Sequence, residues 1–162
     1  MPFLKTEAVI PLSREEVFPF FSKAENLEKI TPDSLKFEIL TPPPIEMEEG
    51  LLIDYRIKIG GLPQKWRTEI SKWDPPFRFV DKQLKGPYRK WVHTHTFREC
   101  PEGTQMIDEV EYELPLAPLG NVVHPLIRMQ LKKIFSHRNT VISEFFTLPD
   151  GKGIIRGPVE FS

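Results

Sequence analysis

Two histidines one residue apart, His93 and His95, and two aspartates in neighbouring patterned segments, Asp81 and Asp108, are the side chains best suited to chemistry. In an extended segment alternate residues point the same way, so Trp91, His93, His95 and Phe97 share one face, and the two aromatics mark it as the inward one. The same parity groups Trp66 with Thr68 and Ile70, Asp81 and Gln83 with Phe77 and Phe79, and Asp108 with Met106, Val110 and Tyr112. An imidazole paired with a carboxylate can act as general base on a bound keto or ester group, which makes His93 or His95 with Asp108 the candidate catalytic set. A His-x-His pair with Asp108 or Asp81 also has the donor types of a metal site. The same groups keep one another hydrogen-bonded inside a cavity equally well, and no metal or cofactor is expected. Trp66, Trp73 and Trp91 either stack on a flat ligand or pack as core. No serine nucleophile elbow, phosphate-binding loop or metalloprotease helix motif is present, so hydrolase, kinase and zincin chemistry lack support.

The elements that must position these groups follow from periodicity. Residues 3–10 alternate as a half-buried strand, and Ser13-Arg14-Glu15-Glu16 has the form of a capping box that opens a short helix. A second short helix, about 24–30, ends before Thr31-Pro32. Six strands are then predicted over 35–41, 51–59, 62–73, 77–84, 88–98 and 104–114, with Gly60-Gly61 as the clearest hairpin turn. In the second of these, Leu51, Ile53, Tyr55, Ile57 and Ile59 alternate with charged residues, so one face is wet and the other needs a cover. The cover is a long amphipathic helix over 121–146, in which Val123, Ile127, Leu131, Ile134, Val141, Ile142 and Phe145 recur at three- and four-residue steps. Asn121 is its expected N-cap, and Pro125 falls in its first turn. Lys132, Lys133 and Arg128 belong to its outer side, and residues 149–162, rich in glycine, read as a flexible tail.

Arg138 breaks the polarity of that helix. It lies on the apolar stripe, four residues after Ile134 and three and four before Val141 and Ile142. A guanidinium does not shed its proton, so one aimed at the sheet needs an anionic partner, and Asp108 and Asp81 are the candidates. Such a pair is either a structural clamp or, if one side of the guanidinium faces a pocket, an anchor for a carboxylate, carbonyl or phosphate on a ligand.

Bulk properties narrow the function class. The 162 residues suit one α+β domain over 1–148 followed by the tail, and 22 Lys plus Arg against 23 Asp plus Glu give no field that would draw the chain to nucleic acid. A single cysteine, Cys100, fits a reducing compartment. With no signal-peptide pattern and no apolar run of spanning length, a cytoplasmic location without integral membrane association is expected.

The order strand, two short helices, six strands and long C-terminal helix resembles the helix-grip fold of the START-like, or SRPBCC, superfamily, with a curved antiparallel sheet of about seven strands around the helix. Gly86-Pro87-Tyr88-Arg89-Lys90-Trp91-Val92-His93-Thr94-His95-Thr96-Phe97, followed by Leu114-Pro115-Leu116-Ala117-Pro118-Leu119-Gly120, is similar to a bacterial group within it. That resemblance implies an internal cavity for a lipid-, polyketide- or isoprenoid-like molecule and no particular reaction. The superfamily also holds Rieske oxygenase domains, but one cysteine cannot supply the ligands of a Rieske centre. The expected partner is therefore a small hydrophobic or amphipathic molecule, bound by Trp66, Asp81, Gln83, Trp91, His93, His95, Phe97, Asp108, Val110, Tyr112, Ile134 and Arg138. A cyclase- or dehydratase-type enzyme and a protein-interaction module presenting the sheet edge or the tail are the alternatives.

Overall fold

The computed structural model describes residues 1–115, 119–146 and 155–162. Strand β1 (Phe3–Ile10) alternates half-buried and buried positions along its whole length, as its sequence period requires. Helix α1 (Arg14–Phe21) starts at the predicted capping box, where the Glu16 carboxylate accepts from both the backbone N–H and the hydroxyl of Ser13 at 3.0 and 2.9 Å. It buries Val17, Phe18, Phe20 and Phe21. The short helix α2 (Asn26–Lys29) is held to it by the Asn26 amide, which donates to the Phe20 carbonyl at 2.8 Å. The predicted strand over 35–41 shrinks to β2 (Glu38–Ile39), because a 3-10 turn at Asp33–Leu35 and a left-handed Lys36 occupy its start.

An antiparallel meander follows: β3 (Leu52–Ile59), β4 (Leu62–Asp74), β5 (Arg78–Lys85), β6 (Lys90–Cys100) and β7 (Gly103–Glu113). Gly60 and Gly61 both adopt positive φ in the β3–β4 turn, which is why glycine stands at both. The sheet order is β2-β3-β4-β5-β6-β7-β1, and β1 closes the far side against β7. Helix α3 (Leu119–Phe145) is 27 residues long, about 40 Å, and lies across the sheet face. It begins two residues before the expected cap at Asn121, so Pro125 falls in the second turn, on the exposed side.

The stripe of α3 is shifted from its predicted centre. Leu131, Phe135, Arg138, Asn139, Ile142 and the following Phe146 are buried, whereas Val123 and Phe145 are 45% and 57% exposed. Hydrophobicity alone placed all the apolar residues in one stripe, but the helix outruns the sheet, and Leu119, Val122, Val123 and Leu126 at its start stay in contact with solvent. Polar ties that fasten it include His124 to Tyr112 at 3.2 Å, Arg138 to Asp108 at 3.3 Å, Asn139 to Thr6 at 3.1 Å, and Arg156 to Thr140 at 3.3 Å. His137, Lys132 and Lys133 are exposed, while Arg128 is half-buried with its guanidinium 4.8 Å from the Phe161 ring centroid.

The stretch 147–154, which holds the first part of the tail expected to be flexible over 149–162, lies outside the described residues. Beyond it, β8 (Ile155–Arg156) and β9 (Glu160–Phe161) pair with β1, giving a nine-stranded sheet. The physical reason is an edge: β1 has backbone groups free on the side away from β7, and Gly157 and Ser162 donate to the Glu7 and Phe3 carbonyls at 2.8 and 3.0 Å. Among the described residues no helix is long and apolar enough to cross a membrane.

Candidate functional site

Between the sheet, α1–α2 and α3 lies a cavity of about 180 Å³. Strand β3 contributes Ile53, Tyr55 and Ile57, and β4 contributes Trp66, Thr68 and Ile70 on the inward parity that the sequence predicts. Phe20, Phe21 and Ile30 from the two short helices and Leu131, Ile134 and Phe135 from α3 complete an apolar wall. The exposed Lys23 and half-exposed Gln130 also line it, marking a side that communicates with solvent.

One patch of this wall is charged. Register sets Asp81 opposite His93 across β5–β6 and His95 opposite Asp108 across β6–β7, so four ionisable side chains stack on three adjacent strands. Nε2 of His93 is 3.0 Å from Oδ1 of Asp108. His95 lies between the two carboxylates, with Nε2 2.8 Å from Oδ2 of Asp81 and Nδ1 2.9 Å from Oδ1 of Asp108. From above, Arg138 reaches Asp108 with Nη2 at 3.3 Å to Oδ1 and Nε at 3.3 Å to Oδ2. Its guanidinium also sits 5.6 Å from the Phe21 ring centroid.

The protonation pattern follows from this geometry. Carboxylates only accept hydrogen bonds, so an imidazole bonded to one on each nitrogen carries hydrogen on both. Burial pulls the His95 pKa down, but its hydrogen bonds to Asp108 and Asp81 outweigh it and hold it above the ordinary histidine value. For His93, burial and the neighbouring His95 charge prevail and lower the pKa. Burial alone would raise both aspartates. The Arg138 charge and the two histidine hydrogen bonds instead hold Asp108 well below the usual carboxylate range, and the His93 and His95 contacts lower Asp81.

Seven of the residues predicted to bind a ligand line the cavity: Trp66, Asp81, Trp91, His93, His95, Ile134 and Arg138. Five do not, and each is turned to another task. Phe97 packs against Phe18, Phe21 and Phe79. Val110 and Tyr112 are fully buried in the cluster with Leu4, Trp91 and Leu131, and Asp108 stands behind the histidines. Gln83 bonds both backbone groups of Tyr88 across the β5–β6 turn, at 2.6 and 3.3 Å. Strand parity selects a face, but the sheet's inner face is longer than the cavity, so inward and cavity-lining are different properties. The expected set missed Tyr55, Thr68 and the α1 phenylalanines. The alternation of β3 and β4 is a signal for the first two, whereas the share of α1 in the wall leaves no periodic trace.

A family model described as polyketide cyclase / dehydrase and lipid transport matches residues 10–138, which span β1 to the arginine on α3. The chain belongs to this family. Its fold is the helix-grip fold, as the likeness to solved structures shows. A protein from Thermus thermophilus is 20% identical, with 88% of this chain and 94% of that chain covered and a TM-score of 0.67. A START superfamily protein from Mycobacterium smegmatis is 13% identical, covering 89% and 97%, with a TM-score of 0.62. Ginseng major latex-like protein 151 is 13% identical, covering 90% and 97%, also at 0.62. No curated protein matches the sequence. Membership in the polyketide cyclase / dehydrase and lipid-transport family thus accounts for the architecture, and the charged patch has to be read from its own geometry.

Proposed function

We propose that this chain binds or carries a small molecule, largely apolar and with one polar end, in the cavity under α3. The observation that carries this reading is the wall itself: mostly aliphatic and aromatic side chains, with Asp81, His93, His95 and Arg138 as a charged patch and Thr68, Asn26, Thr31, Gln130 and Lys23 as the other polar members. Such a wall favours a ligand that removes apolar surface from water while a few polar groups set its orientation. A cavity of about 150 Å³ elsewhere holds one aromatic ring. About 180 Å³ therefore suits a ring or a short branched chain, and a longer molecule extends through the side lined by Lys23 and Gln130. The family's description, which includes lipid transport, agrees with this class of ligand.

A second reading, an enzyme of the cyclase or dehydratase type, is favoured by one contact. The His93–Asp108 pair at 3.0 Å has the form of an oriented general base, and His93 lines the cavity. Native mass spectrometry of the protein purified without detergent separates the two. A co-purifying apolar compound that an environment-sensitive dye displaces supports carriage. Protein that arrives empty and takes up no apolar dye would sink the binding proposal.

A further inference from the structure

We propose that Asp81, His93 and His95 form a binding site for one divalent transition-metal ion at the cavity wall, with Asp108 orienting both imidazoles. The far nitrogens of the two rings carry the argument. Nε2 of His93 and Nδ1 of His95 approach the same atom, Oδ1 of Asp108, at 3.0 and 2.9 Å. One carboxylate thus holds one nitrogen of each ring, which leaves Nδ1 of His93 and Nε2 of His95 for another partner. Those two converge on Oδ2 of Asp81 at 3.7 and 2.8 Å, and the three donor atoms lie within 4.8 Å of one another. Two donors each about 2.1 Å from a common ion are about 3.0 Å apart at an octahedral angle and about 3.4 Å at a tetrahedral one. The two spacings to Asp81, 2.8 and 3.7 Å, lie on either side of these values, and the two imidazole nitrogens are within 4.8 Å of each other.

A carboxylate behind a histidine is what a ligating imidazole ordinarily has: it fixes the tautomer and aims the free lone pair at the ion. Charge balance points the same way. Arg138 pairs with Asp108, not Asp81, so with both imidazoles neutral the cluster keeps one uncompensated negative charge, on the half-buried Asp81 beside an apolar cavity. A proton on His95 meets that deficit in the metal-free protein. A divalent cation meets it too, and leaves one positive charge for an oxygen presented from the cavity. Two imidazole nitrogens and one carboxylate oxygen suit zinc, iron(II), cobalt(II) or nickel(II) better than magnesium or calcium. Because all three ligands line the cavity, the remaining coordination positions face it. The sequence showed the donor types but not their convergence, which depends on the registers Asp81↔His93 and His95↔Asp108.

The test uses metal ions alone and so stands apart from the identity of any apolar ligand. The purified 162-residue chain is stripped with a chelator, then titrated with Zn²⁺ by calorimetry and with Co²⁺ by visible absorption. The expected result is one equivalent per chain with Kd at or below about 1 µM. His93→Gln and Asp81→Asn are expected to weaken it about 100-fold or more, and Asp108→Asn, an orienting residue, about 10- to 100-fold. His137→Gln, on the exposed side of α3, is expected to leave it unchanged. Far-UV circular dichroism checks that each variant is folded. Wild-type protein that binds neither ion saturably up to about 1 mM overturns the proposal whatever the variants do. So does binding that folded Asp81→Asn and His93→Gln retain at full strength.

Discussion

Replacing Arg138 by Met tests the electrostatic core of the molecule directly. Arg138 is 5% exposed and its partner Asp108 only 2%, so the substitution leaves a carboxylate in the interior with the permanent positive charge of the guanidinium removed. Breaking a buried pair from one side costs about 3–5 kcal/mol. Asp108 keeps its hydrogen bonds from His93 and His95, which places the loss near the lower end, about 3 kcal/mol. The contact of the guanidinium with the Phe21 ring adds about 0.5–1 kcal/mol, and the apolar burial of the new Met offsets a similar amount. Adding Asp108→Asn removes the orphaned charge, so the double variant is expected to recover about 2 kcal/mol relative to Arg138→Met. The assay is urea unfolding of chelator-treated wild type, both single variants and the double variant, followed by circular dichroism. A cost for Arg138→Met below about 1 kcal/mol, or single-variant costs that simply add, would refute the clamp. If the arginine instead anchors a ligand, the single variant stays stable while losing carboxylate-bearing probes more than plain hydrocarbons.

Filling the cavity with Thr68→Phe, whose side chain enters from the centre of β4, is expected to abolish uptake of an apolar dye at a stability cost of about 1–3 kcal/mol; full dye binding by the folded variant would contradict the pocket assignment. Phe161→Ala removes the half-buried ring that packs on the core and lies under Arg128, and is expected to cost about 1–2 kcal/mol in urea unfolding, less than a fully buried phenylalanine. An unchanged midpoint would show that β9 contributes nothing. All three tyrosines, Tyr55, Tyr88 and Tyr112, have their pKa raised, chiefly by burial. The neutral phenols therefore contribute stability that is fully present below the ordinary tyrosine value of about 10 and is lost as the pH rises above it. Ultraviolet absorption should show no full three-residue ionisation near pH 10 until the chain unfolds; a normal titration of all three in folded protein would contradict their burial.

The sequence by itself determined the succession of the main elements from β1 to α3, because each is written in short-range periodicity, whereas β8 and β9 left no such trace. The alternation in β1, β3 and β6 is a two-residue rhythm that only a pleated strand satisfies, and Ser13 with Glu16 marks a helix start within four residues. Arg138 was equally readable: a permanent cation on an apolar stripe demands a buried anion, and Asp108 lay on the inward parity of β7. Strand pairing and closure were decided by the tertiary structure. Nothing local says that β1 meets β7 on one side and the last eight residues on the other, since that pairing joins segments at least 94 residues apart, the separation of Ile10 from Thr104. Whether an inward residue lines the cavity depends on where α3 and α1 rest on the sheet, which separated Trp66 and His93 from Val110 and Tyr112 although all four point the same way. The charged patch is the clearest case. Parity put Asp81, His93, His95 and Asp108 on one face, but a one-residue change of register between β5 and β6 would have parted Asp81 from the histidines, and only long-range pairing sets that register.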